Sequence, residues 1–329
     1  MKRTITGVKP TGTPHLGNYI GAIKPALELA EGEGQSLYFI ADLHALNTIH
    51  NKSQLKKMTY EVAATWLALG LNPDRSFFYR QSDIRELTEL QWILSSVTNK
   101  GLLNRAHAYK AQVDQNRTAG KEEDTGVNMG LFNYPVLMAA DLLLMDASDV
   151  PVGRDNLQHI EIARDIAEAF HRQYEETFQL PKPIVSEPSA VLPGLDGRKM
   201  SKSYQNTIPL FSEEKKLEKL VKRIVTDSTP PEQAKETEGS TLFTLYREFG
   251  TDTELAQMTD AFRQGIGYGE IKQEVFRVMN RALKQPRQKY VQLLENPEKI
   301  DKLLESGADK VRPYAQLKVK KVKEMIGLL

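Results

Sequence analysis

Cysteine is absent from all 329 residues, and that removes several chemistries at once. No disulfide, thiolate nucleophile, cysteine-ligated zinc or iron–sulfur cluster can form, so any metal must be held through oxygen or nitrogen. Long apolar runs are missing too: 40% hydrophobic and 26% charged residues are mixed throughout, which leaves no candidate membrane span. Nor does charge of one sign dominate. Lys and Arg number 44 against 43 Asp and Glu, and a net charge of +1 excludes a polycation that coats nucleic acid indiscriminately while permitting a local basic face. There is no internal repeat and no low-complexity stretch. Met1 and Lys2 run directly into a β-branched segment, from which no signal or transit peptide and a cytoplasmic location are expected.

A single core rarely grows past about 250 residues, so two domains are expected. The first half alternates short β-branched or aromatic runs, at residues 4–8, 37–40, 77–79 and 149–152, with segments of helical spacing. That order predicts an α/β fold with a Rossmann-like, doubly wound parallel sheet. Between the second and third runs Leu55, Met58, Val62 and Leu69 lie at helical intervals and Gly70 follows as a stop, giving one right-handed crossover. Residues 112–127 are polar and contain glycine; they read as a mobile surface loop inside a helical insertion of about 80–130. From Phe211 onward helical patterns dominate (Leu217, Leu220, Val221, Ile224), with a Pro/Glu/Ser-rich break at 229–240. The expected division is an α/β domain at 1–204 and a smaller all-helical domain at 205–329.

Two segments carry anion chemistry. The first strand runs into Lys9, Pro10, Thr11 and Gly12, then His15, Leu16, Gly17, Asn18 and, beyond Ile20, Gly21, and a helix should open near Leu16. A helix start after a parallel strand offers unpaired N–H groups and a positive dipole end to a phosphate. Gly17 and Gly21 permit close approach of a base or ribose, and His15 and Asn18, three apart on one helical face, both carry side-chain donors. A plain β-turn before a capped helix fits the same residues. The second segment is Lys199, Met200, Ser201, Lys202, Ser203, behind the Gly-rich turn at 194–198. It reads as a mobile cationic clamp on a leaving pyrophosphate, or as a solvated basic loop between domains.

A third feature is Asp141. Pro135 fits the first turn of a helix, and on that helix Leu137 and Met138 lie one turn before Asp141, Leu144 and Met145 one turn after. A carboxylate on an apolar face needs donors, from either an internal partner or a ligand.

His15 to Asn18 resembles the "HIGH" element, and 199–203 matches the "KMSKS" element, of class I aminoacyl-tRNA synthetases. Asn18 stands where the general pattern has a second histidine, as it does in the tryptophanyl branch of that family. The runs YPVLMAADLLL at 134–144, DVPVGRDNLQHIE at 149–161 and GYGEIK at 267–272 extend the resemblance to that branch over nearly the whole chain.

The resemblance implies activation of L-tryptophan with ATP and Mg²⁺, the metal held by the phosphates and by no dedicated protein site, then transfer to tRNA(Trp) by a homodimer. It assigns Lys199, Lys202, His15 and Asn18 to catalysis. The ATP site would also take in Lys9, Pro10, Thr11 and Gly17 at the first strand's end. Gly153, Arg154 and Asp155 would serve it from the fourth strand, and Leu192, Met200, Ser201 and Ser203 from the clamp. Lys9 replaces a glutamine common in the family, which would make that contact ionic. Asp141 would accept the indole N–H, with Tyr134 and Met138 lining the slot, His44 beside them, and Asn156 in place of a glutamine that meets the amino acid head group. Indole has one donor and no acceptor, so a fixed anion in an apolar slot is its complement; phenylalanine would leave that anion unpaired at a loss of about a few kcal/mol. The helical part would read the anticodon. There Arg277, Arg281 and Lys284 form a stripe bordered by Arg287, which by itself reads as a solvated face and in this context as a phosphate contact.

The nearest rival is a tyrosyl-tRNA synthetase, which shares both phosphate elements but would need groups that read a phenol. A nucleotidyltransferase acting on a small phosphorylated metabolite would be shorter, without the helical tail. A non-catalytic tRNA-binding paralogue would be favoured by loss of the clamp lysines, and both are present.

Overall fold

A computed structural model describes residues 2–10, 12–32, 34–153, 156–185 and 192–329. The expected calls on Thr11, Arg154 and Asp155 therefore lie outside the described residues. Five parallel strands form one sheet in the order β3-β2-β1-β4-β5. They are β1 (Arg3–Val8), β2 (Gln35–Ile40), β3 (Phe77–Arg80), β4 (Asp149–Val152) and β5 (Lys182–Val185). The first four coincide with the β-branched runs. The fifth is an edge strand whose residues are mostly exposed and include Pro183, so it has no apolar signature to betray it.

After β1 come α1 (Leu16–Asn18), a π turn at Tyr19–Ile23, and α2 (Lys24–Ala30). After β2 come α3 (Asp42–Ala45) and α4 (Lys52–Ala68). A 3₁₀ turn (Gln81–Asp83) follows β3 and leads to α5 (Glu86–Val97), α6 (Lys100–Leu103), α7 (His107–Thr118) and α8 (Met129–Leu144). Helix α9 (Leu157–Gln173) joins β4 to β5, and the remainder is α10 (Glu214–Lys222), α11 (Thr241–Phe249), α12 (Asp252–Gln264), α13 (Tyr268–Leu294) and α14 (Pro297–Met325).

Two expectations are corrected. Residues 112–118 belong to α7 rather than to a loop, and only the segment after it is irregular. That segment is fastened by buried Asn116, whose Nδ2 donates to the carbonyls of Glu123 at 2.7 Å and Thr125 at 2.8 Å. A polar residue holds the loop here, so hydrophobic spacing could not report it. Pro135 does not open its helix. α8 starts at Met129, where Asn128 Oδ1 accepts from Leu131 N at 2.8 Å, and Pro135 lies in the helix interior. Surrounding apolar packing of Val136, Ala139 and Ala140 carries the helix past the missing N–H.

One face of the sheet is covered by α5, α8, α9 and α14, with Ile5, Leu37, Ile160 and Val311 in a common core. The other face carries α4, the end of α13 and the start of α14, packed on Tyr38, Ile40 and Phe78. A third core unites Leu16 and Ile20 with Leu192, Met200 and the helices α10 to α13. The sequence boundary near residue 204 is thus crossed by packing in both directions, since α14 lies on the strand domain and the start of α1 lies with the later helices.

Two details of this helical part generate predictions. α14 presses so closely on β3 that a Cβ at Gly307 would overlap the carbonyl oxygen of Phe78. Gly307→Ala should therefore lower stability by about 1–3 kcal/mol although alanine is the better helix former; a melting temperature equal to or above the parent's would contradict the close approach. Glu254 forms a capping box with Thr251 and binds Arg281 at 2.6 and 2.7 Å and Arg277 at 3.1 Å. Its Arg281 hydrogen bonds, then the Thr251 backbone N–H, hold its carboxyl well below the usual carboxylate range. A depressed folded pKa stabilises above the unfolded value, near 4.5, and that contribution is lost as pH falls below it. Glu254→Gln should melt about 1–3 °C lower at neutral pH, with the gap to the parent closing below about pH 4 in melts across pH.

Candidate active site

The strand order reverses between β1 and β4: β2 and β3 extend one way, β4 and β5 the other. Ligands of open parallel sheets gather in the crevice at the carboxyl ends flanking such a reversal. Lys9 and Pro10 follow β1 there, and exposed Gly153 follows β4. Lys9 is partly buried, and burial lowers its pKa, a cost that an incoming anion would offset.

The helix start after β1 is built differently from a simple shared face. His15 is the N-cap of α1: its Nδ1 accepts from Asn18 N at 3.3 Å, while Asn18 Oδ1 accepts from His15 N at 3.1 Å. This reciprocal cap consumes one side of each group. Acceptance at Nδ1 places the imidazole hydrogen on Nε2, and burial, followed by the charge of Lys202, lowers the His15 pKa and keeps the ring neutral. A neutral donor at a helix start can meet a phosphate oxygen without adding a second buried cation.

The clamp docks on this helix start from the far end of the domain. Leu16 N donates to Ile208 O at 3.0 Å, Leu210 N to Pro14 O at 3.0 Å, and His15 bridges Pro209 in antiparallel fashion. Met200 is buried against Leu16, its sulfur 3.4 Å from Gly17 N. Lys202 Nζ would lie 3.3 Å from a Cβ on Gly12, whose φ of +94° also favours glycine. Lys199, Lys202 and Ser203 are exposed and Ser201 half-buried, its hydroxyl accepting from Ser203 N at 3.3 Å. Leu192 contributes its carbonyl, which accepts from Met200 N at 3.0 Å; its side chain is in the core.

Sequence reasoning missed the residue that shapes this loop. Asn206, buried at 3% exposure, accepts from Ser201 N at 2.8 Å and donates to Asp196 Oδ1 at 2.6 Å and Lys199 O at 3.1 Å. Gly194 leaves the space it occupies. Its position just behind the clamp was a signal, but asparagine after a basic loop is too common to single out.

On the neighbouring strands lies the second half of the site. Asp141 is 5% exposed on α8, and its oxygens accept from Gln81 Nε2 at 2.9 and 3.0 Å and from His44 Nε2 at 3.1 Å. Burial raises its pKa, and the His44 and Gln81 donors oppose that rise. The His44 ring meets Tyr134 edge-on with centroids 6.3 Å apart, and the Tyr134 hydroxyl is 2.5 Å from His159 Nε2. Met138, one turn along α8 from Tyr134, is partly buried against the core. Gln81, in the turn after β3, and His159, in the first turn of α9, were not foreseen, because a single polar residue there gives no periodic signal. Asn156 precedes α9 with its backbone N bonded to Gly153 O at 3.0 Å and its side chain unused as a cap.

These parts share one edge. His44, Gln81 and the helix start follow β2, β3 and β1, adjacent strands spaced about 5 Å apart, so the carboxylate's partners and the helix start stand on a common ledge. The arginine stripe behaves otherwise: Arg277 and Arg281 are engaged by Glu254, Arg287 donates to Asn280 Oδ1 at 3.0 Å, and Lys284 is exposed.

Comparison with known proteins agrees with this geometry. The family model "tRNA synthetases class I (W and Y)" matches residues 2–284. A tryptophan–tRNA ligase of Xanthomonas axonopodis pv. citri is 51% identical over 329 residues, 99% of this chain and 76% of that protein. One from Bordetella parapertussis is also 51% identical, over 99% of this chain and 73% of its own length. The crystal structure of tryptophanyl-tRNA synthetase from Campylobacter jejuni, complexed with ADP and tryptophan, superposes with a TM-score of 0.90 at 44% identity and covers 99% of both chains. The chain therefore belongs to the class I aminoacyl-tRNA synthetases, in the family of the tryptophan–tRNA ligases.

Proposed function

We propose that this protein is a ligase that activates L-tryptophan with ATP, releasing pyrophosphate, and then transfers tryptophan to tRNA(Trp). The observation that carries the reading is the convergence at the carboxyl ends of the strands: Lys202 beside Gly12 and the His15 cap after β1, with the buried Asp141 carboxylate held by residues that follow β2 and β3. The tryptophan carboxylate is already an anion, so its attack on the α-phosphate needs no general base. Catalysis is placement and neutralisation of charge.

In this reading Lys199 and Lys202 follow charge onto the departing pyrophosphate, and His15, Asn18 and the N–H groups near Gly17 meet the phosphates. Lys9, Pro10 and Thr11 flank them, while Gly153, Arg154 and Asp155 take the ribose side. Asp141 accepts the indole N–H between Tyr134, Met138 and His44, and Asn156 serves the amino acid head group. The clamp supplies ammonium and hydroxyl groups, which suit phosphate oxygens rather than a metal, so Mg²⁺ enters with ATP. The 2′-hydroxyl of the tRNA's terminal adenosine then attacks the activated carbonyl and AMP departs.

Residues 1–204 are the catalytic domain of this proposal and residues 205–329 the anticodon-contacting part, where exposed Lys284 is available to phosphates. Assembly as a homodimer is supported by Trp92 and Met129, large apolar side chains 75% and 71% exposed. No helix among the described residues is long and apolar enough to cross a membrane. A cytoplasmic setting follows from the substrates.

ATP–pyrophosphate exchange with each amino acid tests the reading, which fails if tyrosine supports exchange better than tryptophan. Lys202→Ala should slow exchange by about 100-fold or more while leaving tryptophan binding nearly intact; unchanged turnover would remove it from the mechanism. Asp141→Ala should erase most of the preference for tryptophan over phenylalanine, about 10-fold or more. Selectivity equal to the parent's in paired kcat/KM measurements would refute the indole assignment.

A further inference from the structure

The acceptor capacity of Asp141 is nearly used up. An ionised carboxylate offers about four lone-pair positions; Gln81 Nε2 spans both oxygens at 2.9 and 3.0 Å in one shared contact and His44 Nε2 lies 3.1 Å from Oδ2, so Oδ1 is the oxygen with a position to spare. That spare position matches a ligand with a single N–H. Gln81 is 1% exposed, and its amide has only one sensible orientation. Oε1 accepts from Leu43 N at 3.1 Å and His44 N at 3.4 Å, so the backbone donors of α3 fix the oxygen end and force Nε2 toward the carboxylate.

From this arrangement we propose that Gln81 is a positioning residue for substrate selection: it keeps Asp141 ionised and turned so that its one open acceptor faces the indole N–H. The proposal rests on the assignment of Asp141 above and extends it to a residue that does not touch the substrate. Beside the carboxylate stand Asp42 and His44 from α3 and Tyr79 from β3, while Tyr134 on the same helix meets the His44 ring and His159 from α9 meets Tyr134. Arg80 pairs with Asp83 and Asp301, so it does not serve Asp141. Asp42 adds a second negative charge, held by Ser82 through its N–H at 3.0 Å and its hydroxyl at 2.5 Å. Without the Gln81 donors, burial and Asp42 act on Asp141 against His44 alone. A protonated Asp141 would present a donor to a donor, and tryptophan affinity would fall.

Two full-length variants separate this role from simple damage. Gln81→Met keeps the length and removes both donors. The KM for tryptophan in pyrophosphate exchange should rise by about tenfold or more, with kcat within about threefold, and the defect should deepen as pH falls from about 9 to 6 while the parent stays flat. Gln81→Glu keeps the acceptor for the α3 backbone but sets a carboxyl against a carboxyl. The pair then retains one proton at low pH, and the KM defect should deepen as pH rises, opposite in sign. The Glu variant carries the test should the Met variant not fold. Flat pH profiles with parental KM, or a loss confined to kcat, overturn the proposal. A parent that does not itself prefer tryptophan over phenylalanine overturns the Asp141 reading beneath it, and that outcome is read before any variant is made.

Discussion

A carboxylate without solvent is the constraint around which this site is organised. Asp141 lies on an apolar helix, where an unpaired charge would cost several kcal/mol or simply take up a proton. Its donors come from two other elements, the short α3 after β2 and the 3₁₀ turn after β3, so both turns must hold their conformations for the charge to persist. Leu43 and His44 N–H groups tie those turns to each other through Gln81. Tyr79 and His44 lie beside this carboxylate and Tyr134 meets the His44 ring edge-on, so a polar group on an apolar helix has its partners drawn from separate elements.

The loop that carries Lys199 and Lys202 is arranged on the opposite principle. Lys199 and Lys202 stay exposed on a loop, but the loop is not loose: Asn206 ties its backbone from behind and Met200 anchors it to the helix start. The same docking brings α10 to α13 into one core with Leu16 and Ile20, so the helical portion and the helix start after β1 are coupled by packing as well as by chain.

That coupling carries packing across the expected boundary near residue 204. α14 returns to the sheet and presses Gly307 against β3, with Tyr60 and Arg80 both bonded to Asp301 at its first turn. The arginines once grouped as a stripe on α13 serve this internal architecture in part, since Arg277 and Arg281 fasten α12 through Glu254.

Periodicity and turn chemistry were enough to locate four of the strands and the α/β class, because β-branched runs and helical spacing are local consequences of which face is buried. The two signature segments and the burial of Asp141 on an apolar helix face could be picked out locally, while the roles read for them came from the family resemblance. Long-range pairing decided the rest. β5 is held by its neighbour rather than by its own apolar content, and Pro135 sits mid-helix because packing overrides a missing N–H. Asn206, Gln81 and His159 acquire their meaning only from partners far away in sequence or on other elements. A side chain's type states what it can donate or accept, but whether those atoms are satisfied depends on what the fold places within about 3 Å of them.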